Sequence, residues 1–353
     1  MKIYSNFLSG KIKVISLVSN HVKLALEVDN HTKKGQWFYF KVYSTKNTKL
    51  IIELNVKNSY YNGWEDYNVF ISYDQKAWFT VRTSFDGENI SFFIFLRNNI
   101  LFASYLIPFS FEKYRNLKSY LNNFDYCSTV SLGITKLGNI LQLISCKKRS
   151  ALKKVWFISQ QHSGETLGQF ILDSFLHNLV NEYNQLLDTY EFFVIHNANP
   201  DGTFLGNMRH NSEGVDLNRA WHNSLTKSLE VTLILQRMQK EGVDILIDLH
   251  CDELSDKIYY VPPIIRDHDF SLQQRKFEKC LIKSAKIKKL DNINAIKGAN
   301  DPGMLVNYAP KLFNCVTVLI ELPCKFQVGI NVERLLHKVG IAFLQALEAF
   351  QDN

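Results

Sequence analysis

Two side chains that suit metal-assisted hydrolysis stand three residues apart, His162 and Glu165. They follow the apolar run Val155-Trp156-Phe157-Ile158 and precede apolar residues at Leu167, Phe170, Ile171, Phe175 and Leu179. That second spacing is helical, so the pair falls where a buried strand gives way to a helix and can close on one metal ion. Zinc takes such nitrogen and oxygen ligands, and a catalytic zinc needs three protein ligands with one place left for water. His250 and Glu321 each close a further apolar run. A carboxylate at the end of a buried strand is costly unless it has a chemical task.

These residues must be positioned by strands that end on one rim. Val130–Leu132, Ile140–Ser145, Val155–Ser159, Phe192–His196, Ile245–Leu249 and Val316–Glu321 read as strands, with helices at 166–183, 224–241, 271–287 and 331–351. Apolar strands alternating with helices imply a mixed, mostly parallel sheet covered on both faces, with functional groups at the carboxyl ends of its strands. His162, His250 and Glu321 all fall at such ends. Earlier in the chain the texture differs. Lys11–Leu17, Val22–Val28, Trp37–Tyr43, Lys49–Val56, Phe70–Ser72, Trp78–Arg82 and Ile90–Phe95 are strand-like, and turn residues separate them. This spacing predicts an antiparallel sandwich of about nine strands. Phe111–Leu121 reads as a connecting helix. The expected class is therefore α/β, with a β-sandwich domain over 1–122 and a catalytic domain over 123–353.

The 353 residues fit two cores, and 46% apolar with 21% charged residues is ordinary for a globular protein. A net charge of +7 allows an acidic partner, but no dense basic run points to nucleic acid. Six cysteines without framework spacing read as reduced thiols. No signal-like segment opens the chain and no 18-residue apolar run occurs, so a soluble cytoplasmic protein without a membrane partner is expected.

Four ordered blocks complete the pattern: His162-Ser163-Gly164-Glu165-Thr166; Asn199-Pro200-Asp201-Gly202 with Arg209 and Gly214-Val215-Asp216-Leu217-Asn218-Arg219-Ala220-Trp221; His250-Cys251-Asp252-Glu253; and Ile320-Glu321-Leu322-Pro323-Cys324-Lys325. They resemble the zinc metallocarboxypeptidases, and specifically the cytosolic carboxypeptidases. The front half resembles that subfamily's sandwich at Gln36-Trp37-Phe38-Tyr39-Phe40, Gly63-Trp64 and Ser72-Tyr73-Asp74 with Trp78. The resemblance implies one Zn2+ per chain held by His162, Glu165 and His250, with Glu321 as general base. It implies that Arg209 donates to the oxyanion, and that Asn218 and Arg219 grip the terminal carboxylate. Asp248, two before a ligand histidine, reads either as a group supporting that ligand or as a strand-end residue. Tyr308 or Tyr260 would close over the substrate, and Tyr308 is taken as the candidate. Partners would be peptide or protein C-terminal tails, with a preference for acidic ends as in the subfamily.

A cationic region at Arg275, Lys276, Lys279, Lys283, Lys286, Lys288, Lys289 and Lys297, with Lys311 and Lys325 elsewhere, suits acidic ends if it is more than a solvated helix face. Three positions depart from the family pattern: Ser163 for Pro, Cys251 for Gly and Cys324 for Phe. The competing expectations are a zinc amidase acting on acyl-amino acids or cell-wall peptides, and a non-catalytic binding module.

Overall fold

The structure, a computed structural model, describes residues 1–60, 63–97, 99–148, 151–223, 228–264, 268–289 and 300–351. Period-two burial builds the first half. In the strand Thr48–Asn55 (β5) Leu50, Ile52 and Leu54 point inward, and in Asn89–Leu96 (β8) Ile90, Phe92, Ile94 and Leu96 do the same. With Lys2–Tyr4 (β1), Lys13–Val18 (β2), His21–Ala25 (β3), Tyr39–Tyr43 (β4), Asn68–Ser72 (β6), Phe79–Phe85 (β7) and Ile100–Ser104 (β9), nine strands form one continuous sheet. Their order is β1-β4-β9-β6-β7-β8-β5-β3-β2. The sheet folds over because β7 changes partner along its length: Phe79–Arg82 pairs with β6 and Thr83–Phe85 with β8. All pairs are antiparallel except β3 with β5. The short β1 and β9 carry too little pattern to be read from the chain alone.

The helix Phe111–Leu121 (α1) covers its expected range, capped by Ser110, whose side chain accepts from the Lys113 N–H. A second sheet follows, made of Cys127–Ile134 (β10), Ile140–Cys146 (β11), Lys153–Ser159 (β12), Tyr190–Ile195 (β13), Ile245–Asp252 (β14), Tyr259–Val261 (β15), Lys288–Lys289 (β16) and Val316–Pro323 (β17). Its order is β10-β11-β13-β12-β14-β17-β15-β16, and the central β13-β12-β14-β17 run is parallel. Helices cover both faces: Leu167–Asn181 (α2), His268–Ala285 (α5) and Val332–Gln351 (α7) on one, Leu229–Glu241 (α4) and Leu305–Phe313 (α6) on the other. A short helix, Pro200–Leu205 (α3), lies in the loop after β13. Along β12, Val155 and Phe157 enter the larger core with α2 and α7, while Trp156 and Ile158 enter the smaller one with α4 and α6. A strand apolar on both faces is the expected signature of a covered parallel sheet.

The larger core runs unbroken from the first sheet into the second. Gly63 marks the join: a Cβ there would come within 2.4 Å of the Glu253 carbonyl oxygen. The expectation of six reduced cysteines fails at one pair. Cys127 and Cys146 face one another across β10 and β11 and are joined as a disulfide, a relation set by strand register that spacing along the chain does not reveal. The other four are free and buried. Among the described residues no helix is long and apolar enough to cross a membrane.

Candidate active site

Three neighbouring parallel strands deliver the chemistry to one rim. β14 places His250 opposite Glu321 on β17, while β12 ends at Ser159, beside Leu249, three residues before His162. The turn that follows β12 is tight. Gly164 donates its N–H to the Met208 carbonyl at 2.7 Å, and a Cβ there would sit 2.6 Å from the Met208 sulfur. Glu165 stands just before α2, so its carboxylate and the His162 ring turn toward each other.

The donor atoms converge. His162 Nδ1 lies 2.7 Å from Glu165 Oε1, His250 Nδ1 lies 2.9 Å from Glu165 Oε2, and the two Nδ1 atoms are 3.2 Å apart. All three residues are buried, and their ligand atoms lie within 4.8 Å of one another. The rear nitrogens decide what the front ones carry. His162 Nε2 faces Asp216 Oδ1 at 3.2 Å, and His250 Nε2 faces Asp248 Oδ2 at 3.2 Å. An ionised carboxylate only accepts, so a proton held on each Nε2 leaves each Nδ1 free to offer a lone pair to a metal ion. Two imidazole nitrogens and a carboxylate packed this closely make a site suited to a cation. The residues fit zinc, with outer carboxylates orienting the histidines.

The three groups also act on one another's charge. Burial alone would raise the Glu165 carboxyl, yet the two imidazoles outweigh it and hold it at about 2. Burial disfavours charge on His250, but Asp248 and Glu165 overcome this and push its pKa well above the usual value. Glu321 goes the other way. Burial pushes its carboxyl up, His250 opposes this, and Glu165, Asp252 and Glu253 add to the rise, so that it lies well above the usual range. Its Oε2 is buried with no hydrogen-bond partner among the described residues. Glu253 is likewise raised to about 8, by burial first and then by Glu165.

Behind the donors runs a polar frame. Trp221 Nε1 donates to Gln161 Oε1 at 2.7 Å, and Gln161 Nε2 donates to both Asp248 oxygens at 2.8 Å. Of the two readings of Asp248, support for His250 is the one the geometry matches. Arg209 Nε donates to Asp216 Oδ2 at 2.8 Å. Burial would raise the Asp216 carboxyl; the His162 and Arg209 charges more than reverse it and hold it well below the usual range. Gln161 and Asp216 were missed as site residues. The one signal in the chain is that each lies within two residues of a candidate, His162 or Asn218.

These groups open into a cleft of about 2160 Å³ whose walls include His162, Glu165, Arg209, Asn218, Arg219, His250 and Glu321. Asn218 is buried, with Oδ1 accepting from the Leu305 N–H at 2.9 Å, and Arg219 is held by Asp301 at 3.4 Å. Tyr308 is not in the wall. On α6 it shares a face with Leu305 and Ala309 and packs into the smaller core, as the helical spacing dictates. Tyr260 turns its hydroxyl to Glu278 at 3.1 Å. The tyrosine in the cleft, among the described residues, is Tyr259, which sits opposite Glu321 in register and donates to Asp252 at 2.8 Å.

The cationic region divides. Arg275, Lys279 and Lys283 are exposed on α5 away from the cleft, whereas Lys286 and Lys289 line it together with Lys325, Lys257 and Arg82. Lys297 lies outside the described residues, and Lys311 is exposed elsewhere. Cys251 gives its backbone N–H to Glu165 Oε2 at 3.0 Å, while its thiol meets that of Cys324 instead of joining the donor set.

Comparison with known proteins accords with this geometry. Residues 3–106 match the cytosolic carboxypeptidase N-terminal domain, and residues 117–236 match the zinc carboxypeptidase family. Cytosolic carboxypeptidase 2 of Xenopus tropicalis is 25% identical over 334 residues, which is 81% of this chain but 34% of that protein's length. The chain thus spans about a third of that curated relative. Two solved structures are similar throughout. A metallo-carboxypeptidase from Burkholderia cenocepacia has a TM-score of 0.91 and 25% identity, covering 99% of this chain and 98% of that one. A metallo-carboxypeptidase from Pseudomonas aeruginosa, solved with (2-guanidinoethylmercapto)succinic acid, has a TM-score of 0.88 and 25% identity, covering 99% and 100%. With a family model matched in the first half, another over residues 117–236, and the likeness to solved structures extending end to end, the chain belongs to the zinc carboxypeptidase family of peptide hydrolases, on its cytosolic carboxypeptidase branch.

Proposed function

We propose that this protein is a zinc-dependent metallocarboxypeptidase that hydrolyses the C-terminal peptide bond of peptide or protein tails. One observation carries the reading: two imidazole nitrogens and a carboxylate converge beside Glu321, whose buried Oε2 has no partner among the described residues. Zinc bound by His162, Glu165 and His250 would supply a water acidified toward neutrality and polarise the scissile carbonyl.

The rest is done by side chains. Glu321, made more basic by its burial, takes a proton from the attacking water and returns it to the departing amine. Arg209, anchored by Asp216, donates to the oxygen of the tetrahedral intermediate. Asn218 and Arg219 hold the α-carboxylate of the substrate, the planar guanidinium matching its two oxygens. Lys286, Lys289, Lys325, Lys257 and Arg82 in the same walls support a preference for Glu or Asp at the substrate's end. A cytoplasmic location, with neither nucleic acid nor membrane as partner, goes with this reading and with the cytosolic names of the relatives.

The test is cleavage of otherwise identical peptides ending in Glu, Lys and Phe, each also as the C-terminal amide. Release of the last residue from the free acids, fastest for Glu, is expected. Equal rates across the three would remove the acidic preference. Undiminished cleavage of the amides would favour a zinc amidase, and no cleavage of any would return the chain to a binding role.

A further inference from the structure

The loop that carries Arg209 is held from the other half of the chain. Asp29, in the connection between β3 and β4 of the first sheet, is 1% exposed. Its Oδ1 accepts the Met208 N–H at 2.8 Å, and its Oδ2 accepts the Arg209 N–H at 2.8 Å and the His210 N–H at 3.2 Å. Three successive amides thus point at one carboxylate, a backbone concavity that selects an anion. Tyr60, also from the first sheet's side, donates its hydroxyl to Asp29 Oδ2 at 2.9 Å. Next to it, Lys11 Nζ donates to Asn207 Oδ1 at 2.8 Å. The 207–210 turn therefore takes its shape from groups 150 to 196 positions earlier in the chain. Burial works against charge on Asp29, and the His210, Met208 and Arg209 hydrogen bonds outweigh it, keeping the carboxyl below its usual range. An uncharged group would leave three amides competing for weaker acceptors.

We propose that Asp29 is a positioning residue for Arg209, so that the N-terminal sheet is a working part of the catalytic site: it fixes the backbone from which the Arg209 guanidinium reaches Asp216 and the cleft. This rests on the oxyanion role given to Arg209 above. The link is short. Asp29 binds the Arg209 N–H, Arg209 Nε binds Asp216, and Asp216 faces the rear nitrogen of His162. A small rotation of the loop would move the guanidinium by the order of an ångström, a displacement that costs up to about 100-fold in rate.

The experiment is a double-mutant cycle on the zinc-loaded enzyme with Asp29→Asn, Arg209→Ala and the pair, reading kcat and KM on the best-cleaved peptide. Arg209→Ala is expected to lower kcat about 100- to 1000-fold, and Asp29→Asn about 10- to 100-fold with KM little changed. In the pair, kcat should equal that of Arg209→Ala alone, because the loop no longer carries anything to aim. Amide hydrogen exchange read by mass spectrometry should quicken over residues 207–210 in Asp29→Asn. Unaltered kcat or unaltered exchange in Asp29→Asn overturns the proposal, as do losses that multiply in the pair, the mark of a general weakening of the fold. Full activity of Arg209→Ala would defeat the oxyanion role and this proposal with it, an outcome read from a different variant. If Asp29→Asn does not accumulate folded, Tyr60→Phe takes its place in the cycle: a several-fold fall in kcat absent from the Arg209→Ala background supports the proposal, and an unchanged kcat refutes it.

Discussion

Asp216 forms an ion pair at 2.8 Å with Arg209 of the cleft wall, and the second oxygen of that carboxylate faces His162 Nε2 at 3.2 Å. One side chain therefore aligns a metal ligand and an anion-stabilising arginine. Asp216→Asn keeps the shape but can present an N–H where His162 needs an acceptor. We expect zinc affinity to fall about 10- to 100-fold, measured by competition with a chromophoric chelator. Wild-type affinity in this variant would mean that Asp216 serves Arg209 alone.

His162→Ala removes one of three ligands. The purified variant should hold far less than one zinc per chain where the wild type holds one, by elemental analysis. Stripping the wild type with a strong chelator should abolish hydrolysis, and adding zinc back should restore it. A zinc content unmoved by the substitution would place the metal elsewhere.

Glu321→Gln leaves the donor set untouched and takes away the proton acceptor. Its zinc content should match the wild type while kcat falls about 100- to 10,000-fold. KM should change little, since the side chain acts on the water. Activity within a few-fold of wild type would assign the base to another group.

Asp29 also predicts a pH signature. Its folded-state pKa lies below the unfolded value, so the native state binds fewer protons and ionised Asp29 stabilises the fold. That contribution is complete above about pH 4 and is lost as pH falls through the lower folded value. Melting temperatures of wild type and Asp29→Asn should differ at neutral pH and converge below about pH 4. A gap independent of pH would show that shape, not charge, is what the site requires.

Gly164→Ala should disturb two loops at once, because the added Cβ meets the Met208 sulfur at 2.6 Å and the Met208 Cα at 3.0 Å. Overpacking of this kind costs about 1–3 kcal/mol, visible as a lower melting temperature. A neutral result would show that the Met208 loop can yield.

Much of the site was legible because its clues are local. His162 and Glu165 share a single turn, and His250 and Glu321 close apolar runs, so parallel strands ending on one rim imply their meeting. The helix at Phe111–Leu121 was readable for the same reason, since side-chain spacing records secondary structure directly. Tyr308 was not: whether a tyrosine on an amphipathic helix faces a core or a cleft depends on what packs against it, and here Leu305 and Ala309 turn that face inward.

Asp29, the Cys127–Cys146 bridge and the change of partner along β7 were hidden for a deeper reason. Side-chain types at periods of 2 and 3.6 specify strands, helices and their buried faces, and these ran along the chain in plain view. Which strand lies beside which, in what register, and which carboxylate reaches a loop 180 positions away follow from packing the two sheets and their helices around the larger and smaller cores. That packing is a balance of many weak, non-directional contacts, and no short stretch of residues encodes it.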